Sequence, residues 1–206
     1  ARLMTAGAID LKLSPSVVTA IAKYHMTEMG RTVMNDAMDI HSGKGIQVGP
    51  NNYLAHGYMG IPVSITVEGA NILTRNLMIF GQGATRCHPF VLKEMEAAAM
   101  EDDDAALDQF DSLLMKHILF AASNAGMAFV HGLTRSCLAK APVCGATAVY
   151  YKQLSRMSRG LAFTTDVAML VLGGELKRKE MISARLGDVL SHLYLASTVL
   201  KRFEDE

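Results

Sequence analysis

Apolar residues recur along most of this chain at spacings of three and four, the pattern of helices that bury one face. Val18, Ile21, Ala22, Met29, Val33, Ala37 and Ile40 follow it. Ser14-Pro15 ahead of them predicts a helix start, with Ser as cap and Pro at the first helical position. Gly43 is the expected C-terminal cap. Between residues 43 and 62 stand Gly43, Gly45, Gly49, Pro50, Gly57, Gly60 and Pro62. That density predicts a long loop, a kind of segment often given over to function. Val63 to Val67 predicts a short extended piece. Helices are then expected from about Asn71 to Phe80, Val91 to Met100, Ala105 to Ala139, Tyr150 to Leu172 and Glu175 to Phe203. In the last of these Ile182, Leu186, Val189, Leu190, Leu193 and Leu200 form one stripe. The acidic run Glu101 to Asp104 precedes a helix and complements its positive end. The pattern therefore predicts an all-α chain that divides near residue 90, a glycine-rich front before a back of amphipathic helices.

Composition sharpens this picture. The chain of 206 residues has 14 Met, no Trp and only 6% aromatics, which favours helices packed through flexible side chains. Twenty Lys and Arg balance twenty Asp and Glu, so no basic excess marks a nucleic-acid surface, and nucleic acid is not an expected partner. Three cysteines without a CxxC pair exclude a disulfide framework and a typical zinc site, and point to a reducing, cytoplasmic setting. No signal peptide opens the chain, and its apolar runs are broken before the ~20 residues needed to span a bilayer. Ala1-Arg2-Leu3-Met4 is already in helical pattern, so the chain is read as a piece of a longer protein.

Few residues suggest chemistry by themselves. Glu68 follows apolar residues and precedes Gly69, which permits a sharp turn into the helix at Asn71. A carboxylate buried there would be a stronger base; the plain alternative is a helix-start or exposed Glu. Gly43-Lys44-Gly45 lacks the spacing and the Ser/Thr of a phosphate loop. His41, His56 and His88 have no metal-ligand spacing and are expected to be structural, with no metal site. His25 is expected to be a satisfied core residue, and Cys137 and Cys144 inert. Lys152, Arg156 and Arg159 follow helical spacing and predict a solvated face, or one that meets anionic lipid or phosphate.

The runs Ala37 to Ile46 and Val67-Glu68-Gly69-Ala70-Asn71-Ile72-Leu73-Thr74-Arg75 resemble the acyl-CoA dehydrogenase family. There a glycine turn precedes a Glu-Gly-Thr-Asn motif that opens a helix of the C-terminal helical domain. Lys177 to Arg202, with Ser183-Ala184-Arg185-Leu186-Gly187-Asp188 and Leu193-Tyr194-Leu195, resembles the extension of the long bacterial enzymes of fatty-acid β-oxidation. The resemblance covers essentially the whole chain. It implies the end of the dehydrogenase helical domain in residues 1–90 and an additional helical domain in 91–206. It implies Glu68 as the base for the α-proton of a fatty acyl-CoA, with Gly69 beside the substrate and the β-hydrogen leaving as hydride to FAD. Asp39, Gly43, Gly45 and Asn71 would contact the cofactor in the full-length parent, this stretch alone carrying no FAD and no activity. Electron-transfer flavoprotein and further copies of the chain are the implied partners. The chain departs from the family at Asp39 (usually Gln), Ser42 (Gly), Val67 (often Tyr) and Ala70 (Thr), and it lacks the charged segment between turn and base. A non-catalytic role of the back half, in oligomerisation or docking at the inner face of the bacterial membrane, is the alternative.

Overall fold

Ten α-helices, one π-helical stretch and one 3-10 turn make up the regular structure, and no strand forms. The computed structural model describes all 206 residues. In order they are α1 (Arg2–Asp10), α2 (Ser16–His41), α3 (Gly43–Ile46), α4 (Ala55–Thr66), α5 (Asn71–Leu73), the π stretch (Thr74–Gln82), α6 (Gly83–Cys87), α7 (Val91–Ala97), α8 (Asp103–Leu133), α9 (Ala148–Leu172), the 3-10 turn (Gly173–Lys177) and α10 (Glu180–Asp205). The all-α expectation holds.

Several local expectations need correction. At the start of α2 Pro15 is itself the cap, with φ −80° and ψ 64°, and Ser14 makes no side-chain cap. At its end Ser42, not Gly43, takes the turn, with φ 51°, and its N–H bonds back to Met38 and Asp39 carbonyls. Gly43 instead opens α3. The expected loop 43–62 shrinks to residues 47–54, because glycine there often serves packing. A Cβ on Gly57 would stand 2.9 Å from Met34 Cε, the mobile end of that side chain, so glycine eases the approach of α4 to α2 there. Asn52 holds the loop together, donating to the carbonyls of Gly45 and Gln47 and accepting from the N–H of Leu54 and Ala55. Val63 to Thr66 is helical rather than extended. α8 stops at Leu133 instead of Ala139, where Arg135 and Ser136 enter the left-handed region. Asp102 caps α8, accepting from the N–H of Asp104 and Ala105, as the acidic run led one to expect. By length and composition α8 is also apolar enough to cross a membrane, which the broken apolar runs did not suggest. Lys116 is the only Asp, Glu, Lys or Arg between Ser112 and Leu133.

The π stretch lies at the centre. A π-helix has a wider turn than an α-helix and is uncommon beyond a single turn. Ile79 packs with Ala20 and Ile21 of α2 and with Leu190 and Tyr194 of α10. Phe80 packs with Ala84 and Leu176, backed by Leu161 of α9 and Leu186 of α10. Small residues let the helices close on it: a Cβ on Gly187 would meet the Arg75 carbonyl at 3.1 Å, and one on Gly83 would meet Val17 at 2.9 Å. Arg75 donates from Nε and Nη2 to the two oxygens of Asp188 at 2.8 and 2.5 Å. Front and back of the chain thus share one interior.

Candidate active site

Glu68 sits on the four-residue link between α4 and α5. Val67 is extended, and Glu68 and Gly69 then both take positive φ, 58° and 88°. For glycine this is free, but a Glu in the left-handed region carries strain of about 1–2 kcal/mol. The turn is pinned from α2. Lys23 Nζ donates to the carbonyls of Ile65 at 3.3 Å and Gly69 at 2.9 Å, one on each side of Glu68, and to Asn71 Oδ1 at 2.5 Å. Thr74 Oγ1 donates to the Gly69 carbonyl at 3.3 Å. Asn71 is 3% exposed and its Nδ2 donates to Thr27 Oγ1 and Glu28 Oε1 at 2.9 and 2.7 Å. Its amide is spent inside the protein, on the turn and on α2.

The Glu68 carboxylate itself is exposed. Of the two readings of Glu68, a buried carboxylate or an exposed one, the structure shows the exposed one, on a link at the surface of this chain. Glu68 lines a small hollow of about 250 Å³ with Ser16, Lys23, Thr74 and Met78.

Asp39 and Gly43 line a larger open cavity of about 730 Å³, together with Asn35, Ser42, Ile46 and Tyr58. Gly43 has nothing within 4 Å of where a Cβ would stand, so packing within the chain does not call for glycine there. The open space in front of it is room that a Cβ would take from a ligand, and in this respect the residues present fit a cofactor edge. Gly45 is different. A Cβ on it would meet the Met38 carbonyl at 3.3 Å, so α2 and α3 account for it. The structure therefore brings Asp39 and Gly43 to one cavity and sets Glu68 in another, with Lys23 beside it.

Lys23 was missed in the sequence. The only sign was a charge directly after the apolar run Ala20-Ile21-Ala22, and its partners lie 42 to 48 positions away. A second cluster was missed for the same reason. His88 Nε2 meets Asp166 Oδ1 at 2.8 Å, His117 Nε2 meets the same oxygen at 3.2 Å, and His117 Nδ1 meets Glu94 at 2.8 Å. The three groups stand close enough together to hold a metal ion. Yet His88 Nδ1 accepts the N–H of Phe90 and Val91, so its proton is on Nε2, the nitrogen a metal would need. The cluster is a proton-bridged network. Burial lowers the pKa of His88 against the pull of Asp166. Burial works the same way on His117, but hydrogen bonds to Asp166 and Glu94 outweigh it and leave the pKa raised. His25 is not the satisfied core residue expected, since its buried Nε2 has no partner. Burial and His192 lower its pKa. The three cysteines are exposed.

Two family models divide the chain between them. The model of the acyl-CoA dehydrogenase C-terminal domain matches residues 1–80. That of the bacterial-type acyl-CoA dehydrogenase C-terminal region matches residues 85–206, more than half of the chain. No solved structure matches the chain. With a helical fold throughout, and both halves matched by models of the family's C-terminal region, this chain belongs to the acyl-CoA dehydrogenases of bacterial type.

Proposed function

We propose that the chain is part of a flavin-dependent acyl-CoA dehydrogenase that converts fatty acyl-CoA to trans-2-enoyl-CoA, with Glu68 as base. The observation that carries this is the strained Glu68-Gly69 turn, held on both sides by Lys23. Backbone strain persists only where the surroundings enforce it, and it collects at functional sites. Here a lysine from another helix enforces it at the residue where the family motif places a carboxylate. The thioester carbonyl acidifies the α-carbon, and Glu68 takes that proton. Gly69, which the positive φ of the turn favours as glycine, would lie beside the substrate. Because Glu68 is exposed on this chain, water exclusion falls to the bound thioester and to the rest of the enzyme. FAD, when bound, supplies the electron acceptor. Asp39 and Gly43 would border it, while Gly45 supports α3 and Asn71 holds the turn. Residues 1–90 would complete the dehydrogenase helical domain and 91–206 would add a helical domain that shares its interior. Electron-transfer flavoprotein would reoxidise the enzyme in the cytoplasm. Large outward-facing apolar side chains such as Ile40, Leu133 and Leu170 support assembly with further copies.

Glu68→Gln in the complete enzyme tests the reading. Gln keeps the volume and cannot accept the α-proton. The expected result is loss of kcat by roughly 10²–10⁴ or more, with flavin absorbance and substrate binding retained. Near-normal turnover would remove Glu68 as base.

The second reading, docking of the back half to a membrane, rests on the outward face of α8, where Ile118, Leu119, Phe129 and Leu133 are all exposed. It expects the protein to float with anionic liposomes; a protein that stays at the bottom of the gradient excludes it.

A further inference from the structure

Arg159 is not on the solvated face that its spacing predicts. It is half-buried on α9 and turned toward α8, where Nη1 donates to Asn124 Oδ1 at 3.1 Å. No carboxylate meets it. The ion pairs of the molecule engage other residues, and residues 112–165 contain no Asp or Glu at all. A guanidinium drawn partly out of water without an anion is costly. Asn124 repeats the signal: it is 4% exposed, and its Nδ2 is buried without a partner. Both residues line a cavity of about 580 Å³ between α8, α9 and α10, with Tyr151, Ser155 and Ser197. The Arg159 guanidinium keeps donors open there and the Tyr151 hydroxyl can donate as well, while Ser155 and Ser197 already donate to the Tyr151 and Tyr194 carbonyls. The volume falls within the roughly 300–1,000 Å³ of small-ligand sites.

A neighbouring cavity of about 220 Å³ shares Phe120, Ser158, Ala162 and Leu193 with the first. Its further walls are largely apolar, including Phe80, Leu161 and Leu190. A cavity of mixed lining that holds a cation without an anion thus adjoins a largely apolar one across four shared residues.

We propose that the two cavities form one binding site for a single-chain anionic amphiphile of the fatty-acid class. The head anion is held by Arg159, which Asn124 Oδ1 orients from behind, and the alkyl chain passes Phe120 and Leu193 into the apolar arm. A small anion alone would leave that arm unfilled, and a neutral chain would leave Arg159 unpaired. The inference does not depend on Glu68 being a base.

Laurate binding to the delipidated protein, measured by titration calorimetry, is the test. Laurate should bind more tightly than acetate, which lacks the tail, and than 1-dodecanol, which lacks the charge. Arg159→Met should weaken laurate about ten- to a hundredfold, the worth of one charge-assisted hydrogen bond, and Arg159→Lys should recover part of it. Ala162→Phe, which fills the passage between the chambers, should weaken laurate and leave acetate unchanged. It carries the test should Arg159→Met not fold. Glu68→Gln should leave laurate binding as it is, so the two readings fail separately. Equal laurate binding by native protein and both Arg159→Met and Ala162→Phe would overturn the site. So would equal binding of acetate or dodecanol and laurate, or binding to phosphatidylglycerol vesicles without binding of monomeric laurate.

Discussion

At Glu68 stability and the proposed chemistry pull in opposite directions. The left-handed backbone there costs a Glu about 1–2 kcal/mol, and glycine would adopt it freely while losing more entropy on folding. Glu68→Gly should therefore stabilise the chain by about 0.5–1 kcal/mol, read as a higher urea midpoint at unchanged slope. No interaction is lost to cancel the gain, because the exposed carboxylate makes no hydrogen bond or ion pair to the rest of the chain. A residue that could be replaced with a gain in stability is one retained for something other than the fold. If Glu68→Gly lowers the midpoint, the turn is relaxed and the case for an enforced geometry fails. The Glu-Gly pair made this turn legible in the sequence. Lys23 was not legible, because a lysine becomes a staple only through carbonyls that the fold brings to it from another helix. The same holds for Arg159: helical spacing placed it on a stripe with Lys152 and Arg156, but the side of α9 that faces α8 is set by packing.

Among the elements, those with long apolar periodicity were readable and those set by backbone packing were not. α2, α8, α9 and α10 each carry many apolar positions at helical spacing, and all four form close to where that spacing put them. The errors gather at glycine. Gly57 and Gly60, expected in a loop, lie inside α4, where Gly57 sits close to the end of the Met34 side chain. Gly81 and Gly83 flank the junction of the π stretch and α6, where Ser183 and Val17 come close. A glycine in sequence signals either conformational freedom or close approach, and only the neighbouring helix decides which. The π stretch was expected as part of one ordinary helix from Asn71 to Phe80, since a widened turn leaves no mark on apolar spacing over nine residues. α8 ends at Leu133, short of the expected Ala139, because the chain turns through Arg135 and Ser136 at positive φ, which apolar spacing does not reveal.

Across the whole molecule, α7, α8 and α9 meet at the His88–His117–Asp166–Glu94 network, and the opposite shifts of its two histidines make the stability of that junction depend on pH from both sides. His117 has a raised pKa in the folded state, so the folded chain holds its proton more tightly than the unfolded chain does. Its contribution is complete below the ordinary value of 6.5 and is lost as pH rises through the raised value. For His88 and His25 the folded pKa is lowered, so their contribution is complete above 6.5 and is lost as pH falls toward the lowered values. The urea midpoint should therefore fall both on going from pH 6.5 to pH 8.5 and on going to pH 5. The two sides have different owners and can be separated. His117→Gln, which cannot carry the charge between Glu94 and Asp166, should lose about 1–3 kcal/mol at pH 6.5, the worth of hydrogen bonds to charged groups. It should also flatten the alkaline limb while leaving an acid limb in place. Because His88 and His117 share one oxygen of Asp166, the limbs report the network rather than single residues. An alkaline limb that survives His117→Gln unchanged would show that the proton held between α7, α8 and α9 is not what couples stability to pH there.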